Sequence, residues 1–231
     1  MSFAVRHEVV GRAHASRRLR LAHVSDLHLW RGGAKLARLD EALATWRPEV
    51  VVLTGDYADT PWGRHAARAW IEETARRLPV CWIAGNHDHW WGGGFVRQLR
   101  AIRRAHAIDH ADARITAADG ATVRFTRWTG LVAAGAAGPT VVLLHDPAAI
   151  QPELLHARRD CLVLAGHLHG GQITLWHDRR GQPQPAGLFY GWLGTRAEIG
   201  ATTVIVSRGL GDTLPLRLRV PRELVIVDWR A

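Results

Sequence analysis

The chain has 231 residues, 47% of them hydrophobic, and a formal net charge of +9. That length fits one domain with a sizeable core, and that composition excludes a disordered polyelectrolyte. Lys35 is the only lysine, so the positive charge is nearly all arginine; such a balance favours anionic partners, whether phosphorylated metabolites, nucleic acid or an anionic lipid surface, without choosing among them.

Residues 1–18, with Arg12, Arg17 and Arg18, read as a basic N-terminal extension of a single domain spanning 1–231. Leu19 to Val24 is an apolar strand. Lys35 to Trp46 carries Leu36, Leu39, Leu43 and Trp46 at helical spacing, with Pro48 just beyond. Val50 to Leu53 is a second strand, Trp62 to Leu78 a second helix closed by Pro79, and Val80 to Ala84 a third strand. A third helix is expected over Gly94 to His106, with Phe95, Leu99 and Ile102 inward. Arg114 to Thr116 and Thr122 to Trp128 alternate around Asp119-Gly120, a hairpin signal. Thr140 to Leu144 and Leu162 to Ala165 follow as strands with a helix, Pro147 to His156, between them; Ile173 to Trp176, Thr202 to Val206 and Leu224 to Trp229 are further strands. This rhythm predicts an α/β fold, a four-layer αββα sandwich of two mixed β-sheets packed face to face and flanked by helices.

Cys81 and Cys161 lie inside apolar runs, as small buried hydrophobes rather than disulfide partners, which suits a reducing compartment. No apolar run reaches the roughly 18–20 residues needed to cross a bilayer, and no apolar segment follows the first basic residues. A cytoplasmic protein is expected, with peripheral contact to the inner face of the membrane.

Four polar clusters stand directly after apolar strands: Asp26-Leu27-His28, Gly55-Asp56, Gly85-Asn86-His87-Asp88 and Gly166-His167-Leu168-His169; His145 follows another strand. Strand ends are where open α/β sheets place their chemistry. Asp26 and His28, two apart, project to the same side of an extended segment, and Asp56 has two oxygens with which to bridge two cations. With Asn86, His145, His167 and His169 they form a mixed oxygen and nitrogen donor set without thiolate, suited to manganese, iron or zinc. Seven side chains are too many for one ion; two ions about 3.5–4 Å apart, sharing Asp56, would use them all. Each short motif alone is more often a turn, but four repeats at strand ends are not chance turn chemistry.

In these motifs the chain resembles the calcineurin-like metallophosphoesterase family, over nearly its whole length. The resemblance implies a two-sheet sandwich and two divalent metal ions, Mn2+ first and Fe or Zn as alternatives. It assigns Asp26, His28, Asp56 and His169 to one ion and Asp56, Asn86, His145 and His167 to the other. It makes His87 the unliganded proton donor or transition-state stabiliser, with Asp88 as its orienting partner. Gly166 to Ile173, Val206 to Gly211 and Pro215-x-Arg217 resemble the YkuE/YaeI-type branch of bacterial phosphodiesterases, which includes UDP-diacylglucosamine pyrophosphohydrolases of lipid A synthesis. The closing Pro221-Arg222-Glu223 departs from the branch's more usual Pro-Pro-Glu.

The expected reaction is attack on phosphorus by a metal-bridging hydroxide, on a phosphorylated small-molecule or lipid substrate. Trp30, Trp90 and Trp91 follow metal motifs and either wall the cleft or pack the core; Arg208 either contacts a second phosphate or forms a surface ion pair. Alternatives are a phosphodiesterase for soluble nucleotide or nucleic-acid substrates and a non-catalytic binding scaffold. The arginines are scattered and no nucleic-acid motif accompanies them, so nucleic acid is not the expected partner, and no obligate protein partner is evident.

Overall fold

A computed structural model describes residues 3–11, 17–90, 92–133, 138–156, 158–177, 183–185, 194–213 and 216–231. In chain order its strands and helices are β1 (Ala4–Gly11), β2 (Arg18–Val24), α1 (Ala34–Trp46), β3 (Val50–Leu53), α2 (Pro61–Arg77), β4 (Val80–Trp82), α3 (Gly94–Arg100), β5 (Ala105–Ala107), β6 (Ala113–Thr116) and β7 (Thr122–Arg127). There follow α4 (Trp128–Ala133), β8 (Thr140–Leu143), α5 (Glu153–His156), β9 (Cys161–Ala165), β10 (Thr174–His177), β11 (Pro183–Pro185), β12 (Arg196–Ile199), β13 (Thr202–Val206) and β14 (Glu223–Arg230).

Two six-stranded mixed sheets result, ordered β1-β14-β2-β3-β4-β5 and β12-β13-β9-β8-β7-β6, beside a small β10-β11 pair. Their apolar strands alternate between two cores, as a period of two demands. Val50, Val52 and Cys81 face inward to meet Phe125, Val141, Leu143, Leu162 and Leu164 of the other sheet. Val51, Leu53 and Trp82 face outward onto Leu39 and Leu43 of α1 and Trp70 and Ile71 of α2. Val142, Val163 and Val204 face the opposite outer layer, with Trp128, Leu131 and Leu155. The four expected layers are therefore present. Thr60 caps α2 by accepting a bond from the Gly63 amide at 3.0 Å, Pro61 opens it, and Arg47 ends α1 in the left-handed region.

Three expectations need correction. The third helix stops at Arg100: Arg104 adopts a φ of 63°, which no helix continues through, and the chain turns into β5 against β4. The helix expected over Pro147 to His156 is two short turns, 147–149 and 153–156, because Pro152 disfavours helical backbone at Gln151. Residues 4–11, within the expected N-terminal extension, are an edge strand paired in parallel with β14. Only Val10 of that strand is buried, so its sequence carries little alternation to announce it.

Leu164→Ala removes a fully buried side chain from between the sheets. It is expected to cost about 2–5 kcal/mol, read as a lowered urea midpoint at an unchanged slope. A loss below about 1 kcal/mol would contradict an inter-sheet core packed at this position.

Candidate metal centre

The parallel pairings β2-β3-β4 and β8-β9 bring five strand ends to one edge of the molecule. Each loop then approaches the next closely enough to exchange backbone bonds: Asp26 N–H to Gly55 O and His28 N–H to Asp56 O, each at 3.0 Å, and Gly166 N–H to His145 O at 3.0 Å. This closeness explains two motif glycines. A Cβ on Gly85 would lie 2.2 Å from Asp56 Oδ1, and one on Gly166 would lie 1.9 Å from Ser25 Oγ. Asp26, His28, Asp56, His167 and His169 all have φ between 40° and 71°. Left-handed backbone is costly for residues with a side chain and persists where the surroundings over-determine it. Here it swings consecutive polar side chains off the strand ends toward one point.

Two groups form there. Asp26, His28 and His169 bring one donor atom each to within 4.8 Å of one another, and so do Asp56, His145 and His167. His28 Nε2 is 3.2 Å from His169 Nε2, and His167 Nδ1 is 3.1 Å from His145 Nε2. Asn86 Oδ1 joins the second group 2.9 Å from His145 Nε2. Asp56 Oδ2 lies between the groups, 3.7 Å from His28 Nε2 and 3.3 Å from His145 Nε2.

The outer nitrogens of His28 and His145 meet oxygen acceptors. His28 Nδ1 is 2.9 Å from Asp59 Oδ1, and His145 Nδ1 is 2.7 Å from the Thr54 carbonyl. A proton donated at Nδ1 leaves a bare Nε2 facing inward, the tautomer a metal requires. His169 differs: Arg217 Nη2 donates to its Nδ1 at 3.0 Å, while Asp212 Oδ1 stands 3.5 Å away as the acceptor that position needs once Nε2 gives up its proton. Such a donor set, two buried carboxylates and four imidazoles in mutual contact, fits a pair of divalent cations.

Charge follows the same pattern. Burial raises the Asp56 carboxyl, but the His145 bond and the imidazoles around it bring it down to about 2. Burial pulls His145 down, yet Asp56 and Asp26 outweigh it and hold the ring up at about 9. Burial likewise opposes protonation of His87, and the bond to Asp59 with the neighbouring carboxylates overcomes it, so its pKa is raised.

A model of the family described as calcineurin-like phosphoesterase matches residues 19–171, two thirds of the chain and all of these strand ends. The chain belongs to the calcineurin-like phosphoesterase family. It is 28% identical over 205 residues to a Bacillus subtilis protein described as the uncharacterized metallophosphoesterase YkuE, covering 80% of this chain and 69% of that one, which supports the YkuE-type branch. It is also 28% identical over 179 residues to a zebrafish transmembrane protein with a metallophosphoesterase domain, covering 67% of this chain but only 41% of the relative. Among solved structures, the Thermus thermophilus protein TT1561 shares the fold, with a TM-score of 0.53 at 11% identity over 85% of this chain and 90% of that one.

Among the calcineurin-like motifs, one expected role changes hands. His87 Nδ1 bonds Asp59 Oδ1 at 2.8 Å, not Asp88. Asp88 is wholly buried and accepts the amides of Asp56, Tyr57 and Gly85 at 2.8–3.0 Å, which ties the second and third loops together. Asp59 thus faces both His28 and His87, whose rings stand edge to face 4.7 Å apart. The third group of possible donors, His28, Asp59 and His87, is this pair of bonds rather than a further ion site. His23, beside the first motif, is buried, pushed down to about 3, and bonded to Thr54 Oγ1, which in turn donates to Ser25 Oγ.

Trp30 and Trp90 are both 57% exposed, and Trp90 stacks on His87 at 3.6 Å between ring centroids. Both therefore stand at the mouth of the site rather than in the core. Trp91 lies outside the described residues. Arg208 is held by the buried Glu223, with Nε donating to Oε2 at 2.7 Å, as an ion pair that Arg6 shares. Asp59 and Asp212 were not singled out in the sequence, and Arg217 stood there only as part of the Pro215-x-Arg217 motif, without a site role; Asp59 stands only three residues beyond Asp56, but no residue type announces a carboxylate that grips an imidazole from behind.

The raised His145 pKa has two measurable consequences. Because the ring is protonated near neutrality without metal and must lose that proton to ligate, metal affinity should rise with pH up to about 9. Mn2+ titrated into stripped protein at pH 7 should release protons, so calorimetric heats should scale with the ionisation enthalpy of the buffer. Equal heats in all buffers would contradict it. In the metal-free protein the same raised pKa contributes stability that is complete below about 6.5 and lost as pH rises through about 9; a thermal midpoint flat over that interval would count against the His145–Asp56 pairing.

Proposed function

We propose that this chain is a dinuclear-metal phosphodiesterase or pyrophosphohydrolase. The observation that carries this reading is Asp56 Oδ2, set between two imidazole-rich groups within 3.7 Å of each. In this reading Asp26, His28, Asp56 and His169 hold one cation, and Asp56, Asn86, His145 and His167 the other. Mn2+ is the first choice for both. When bound, the ions supply positive charge to the phosphoryl oxygens and acidify water.

The chain's own residues do the rest. Asp59 fixes His28 through Nδ1 and His87 through Nδ1, so the His87 Nε2–H is the proton available to a leaving oxygen. Against burial, the bond to Asp59 and the neighbouring carboxylates raise the His87 pKa, which favours the protonated ring. Trp90, stacked on the same ring, restricts its orientation and covers it from solvent on one face.

A substrate with a bulky apolar group, such as a UDP-diacylglucosamine-like lipid, is supported by the exposed Trp30 and Trp90 at the edge of the site. With a net charge of +9 such a rim suits peripheral contact with an anionic membrane. The two buried free cysteines fit a reducing, cytoplasmic setting. No described helix is long and apolar enough to cross a membrane. Many arginines, including Arg76, Arg77, Arg124 and Arg196, are spent on neighbouring carboxylates, which weakens the case for nucleic acid.

Stripped protein should regain hydrolysis of bis-p-nitrophenyl phosphate with Mn2+, and Asp56→Ala should abolish it. His87→Ala should lower kcat by about 10²–10⁴ for diesters with alkyl leaving groups and by less for nitrophenyl esters, whose leaving oxygen needs little protonation. Folded protein that binds two ions but cleaves no diester would move the reading to a non-catalytic scaffold. Cleavage of short soluble diesters that is indifferent to micelles would favour the soluble-substrate alternative.

A further inference from the structure

Beside the metal centre a cavity of about 330 Å³ opens between the first motif loop, the start of α1 and the segment around residue 212. His28 and Trp30 form one wall, and Arg31, Lys35, Asp212 and Arg222 the others. Lys35 is the chain's single lysine, lies half-buried in the first turn of α1, and donates to the Leu27 carbonyl at 2.8 Å. Beyond that one bond its position is unfavourable: a cation in the first helical turn opposes the helix dipole, and burial together with Arg222 pulls the ammonium down to about 8. Arg222 binds Asp212 through Nη2 at 2.5 Å, while its buried Nε has no hydrogen-bond partner among the described residues. Asp212 is also engaged by Arg217, and its attraction for Lys35, with that of Asp59, is outweighed by burial and the neighbouring arginines. Arg31 is exposed, 6.0 Å over the Trp62 ring, with no ion pair among the described residues. Three cationic side chains thus line a largely apolar cavity whose one carboxylate is already shared by two arginines.

We infer that this cavity is the subsite for a second phosphate of the substrate, held by Lys35, Arg31 and Arg222, with the heterocyclic or apolar group it carries laid against Trp30. The inference rests on the phosphoesterase reading above and sharpens it to diphosphate diesters. Water adds across the bridging P–O bond: its oxygen bonds to the phosphorus at the metal centre, the bridging oxygen departs with the phosphate in the cavity, and two phosphate monoesters result. No electrons change hands. The three cations neutralise charge as it develops on the departing phosphate, where a simple nitrophenyl diester has nothing to offer them.

The single lysine permits a test that needs neither metal nor turnover. Acylation of Lys35 in stripped, full-length protein is followed by peptide mass spectrometry, with methylenediphosphonate as the probe and sulfate at equal ionic strength as the control. At a tenfold excess over its dissociation constant the probe should slow labelling about tenfold. No protection, or equal protection by sulfate, would overturn the inference. In turnover, Lys35→Gln should lower kcat/KM for UDP-glucose at least about tenfold more than for bis-p-nitrophenyl phosphate, the scale of a lost hydrogen bond to a charged group. Arg31→Gln, at an exposed position that folding does not depend on, should act in the same direction. Equal losses on both substrates would overturn the subsite. Absence of metal-dependent cleavage of either ester would instead defeat the phosphoesterase reading, and the labelling result then decides the cavity alone.

Discussion

The centre depends on backbone that the chain would not adopt on its own. Five of the seven polar side chains that meet there stand on left-handed residues, none of them glycine. Each such position costs about 1–3 kcal/mol, so the strain is a sizeable demand on a domain of this size. It is met by the two sheets, whose strand ends are fixed by fully buried cores on both faces, and by bonds between the loops themselves. Asp88 is the clearest case, one buried carboxylate holding three amides from two loops. Burial pushes the Asp88 carboxyl up to about 7, against the three amides that favour its charged form, and its bonds make it a brace between the second and third loops.

Around that brace the site is built in shells of alternating character. Imidazole nitrogens and the carboxylates of Asp26 and Asp56 face the centre, while Asp59, Asp212 and the Thr54 carbonyl stand behind the rings. The outer acceptors fix which ring nitrogen is bare, and they raise the basicity of the ligand. Asp59 serves two rings with different tasks: it orients His28 within the donor set and favours the protonated form of His87 just outside it. In the proposed reading one carboxylate thus links a metal ligand to the proton donor. The two imidazoles hold its own pKa well below the usual carboxylate range, despite the desolvation that opposes ionisation.

Much of this was legible in the sequence, for reasons of periodicity. Apolar runs such as Val50–Leu53 could only be buried strands, and polar residues directly after them had to gather at one sheet edge. What the sequence could not show was which carboxylate faces which ring. Asp88 is adjacent to His87 in the chain and turns away from it, whereas Asp59, 28 residues earlier, meets it. Nor does a lone lysine near the start of a helix announce a cavity, since the arginine that joins it there is 187 residues further on. The edge strand β1 and the shortened α3 were missed for a local reason: one shows almost no burial pattern, and the other continues its helical spacing of apolar residues past a left-handed Arg104.

The central claim is that Asp56 is shared by two cations. The most direct measurement is the manganese content of wild-type and Asp56→Asn protein after reconstitution, with the electron paramagnetic resonance spectrum of each. Two ions per chain with an exchange-coupled spectrum in the wild type, falling to one or fewer and an uncoupled spectrum in the variant, is the predicted result. Two coupled ions retained without the Asp56 carboxylate, or one ion in both proteins, would contradict it.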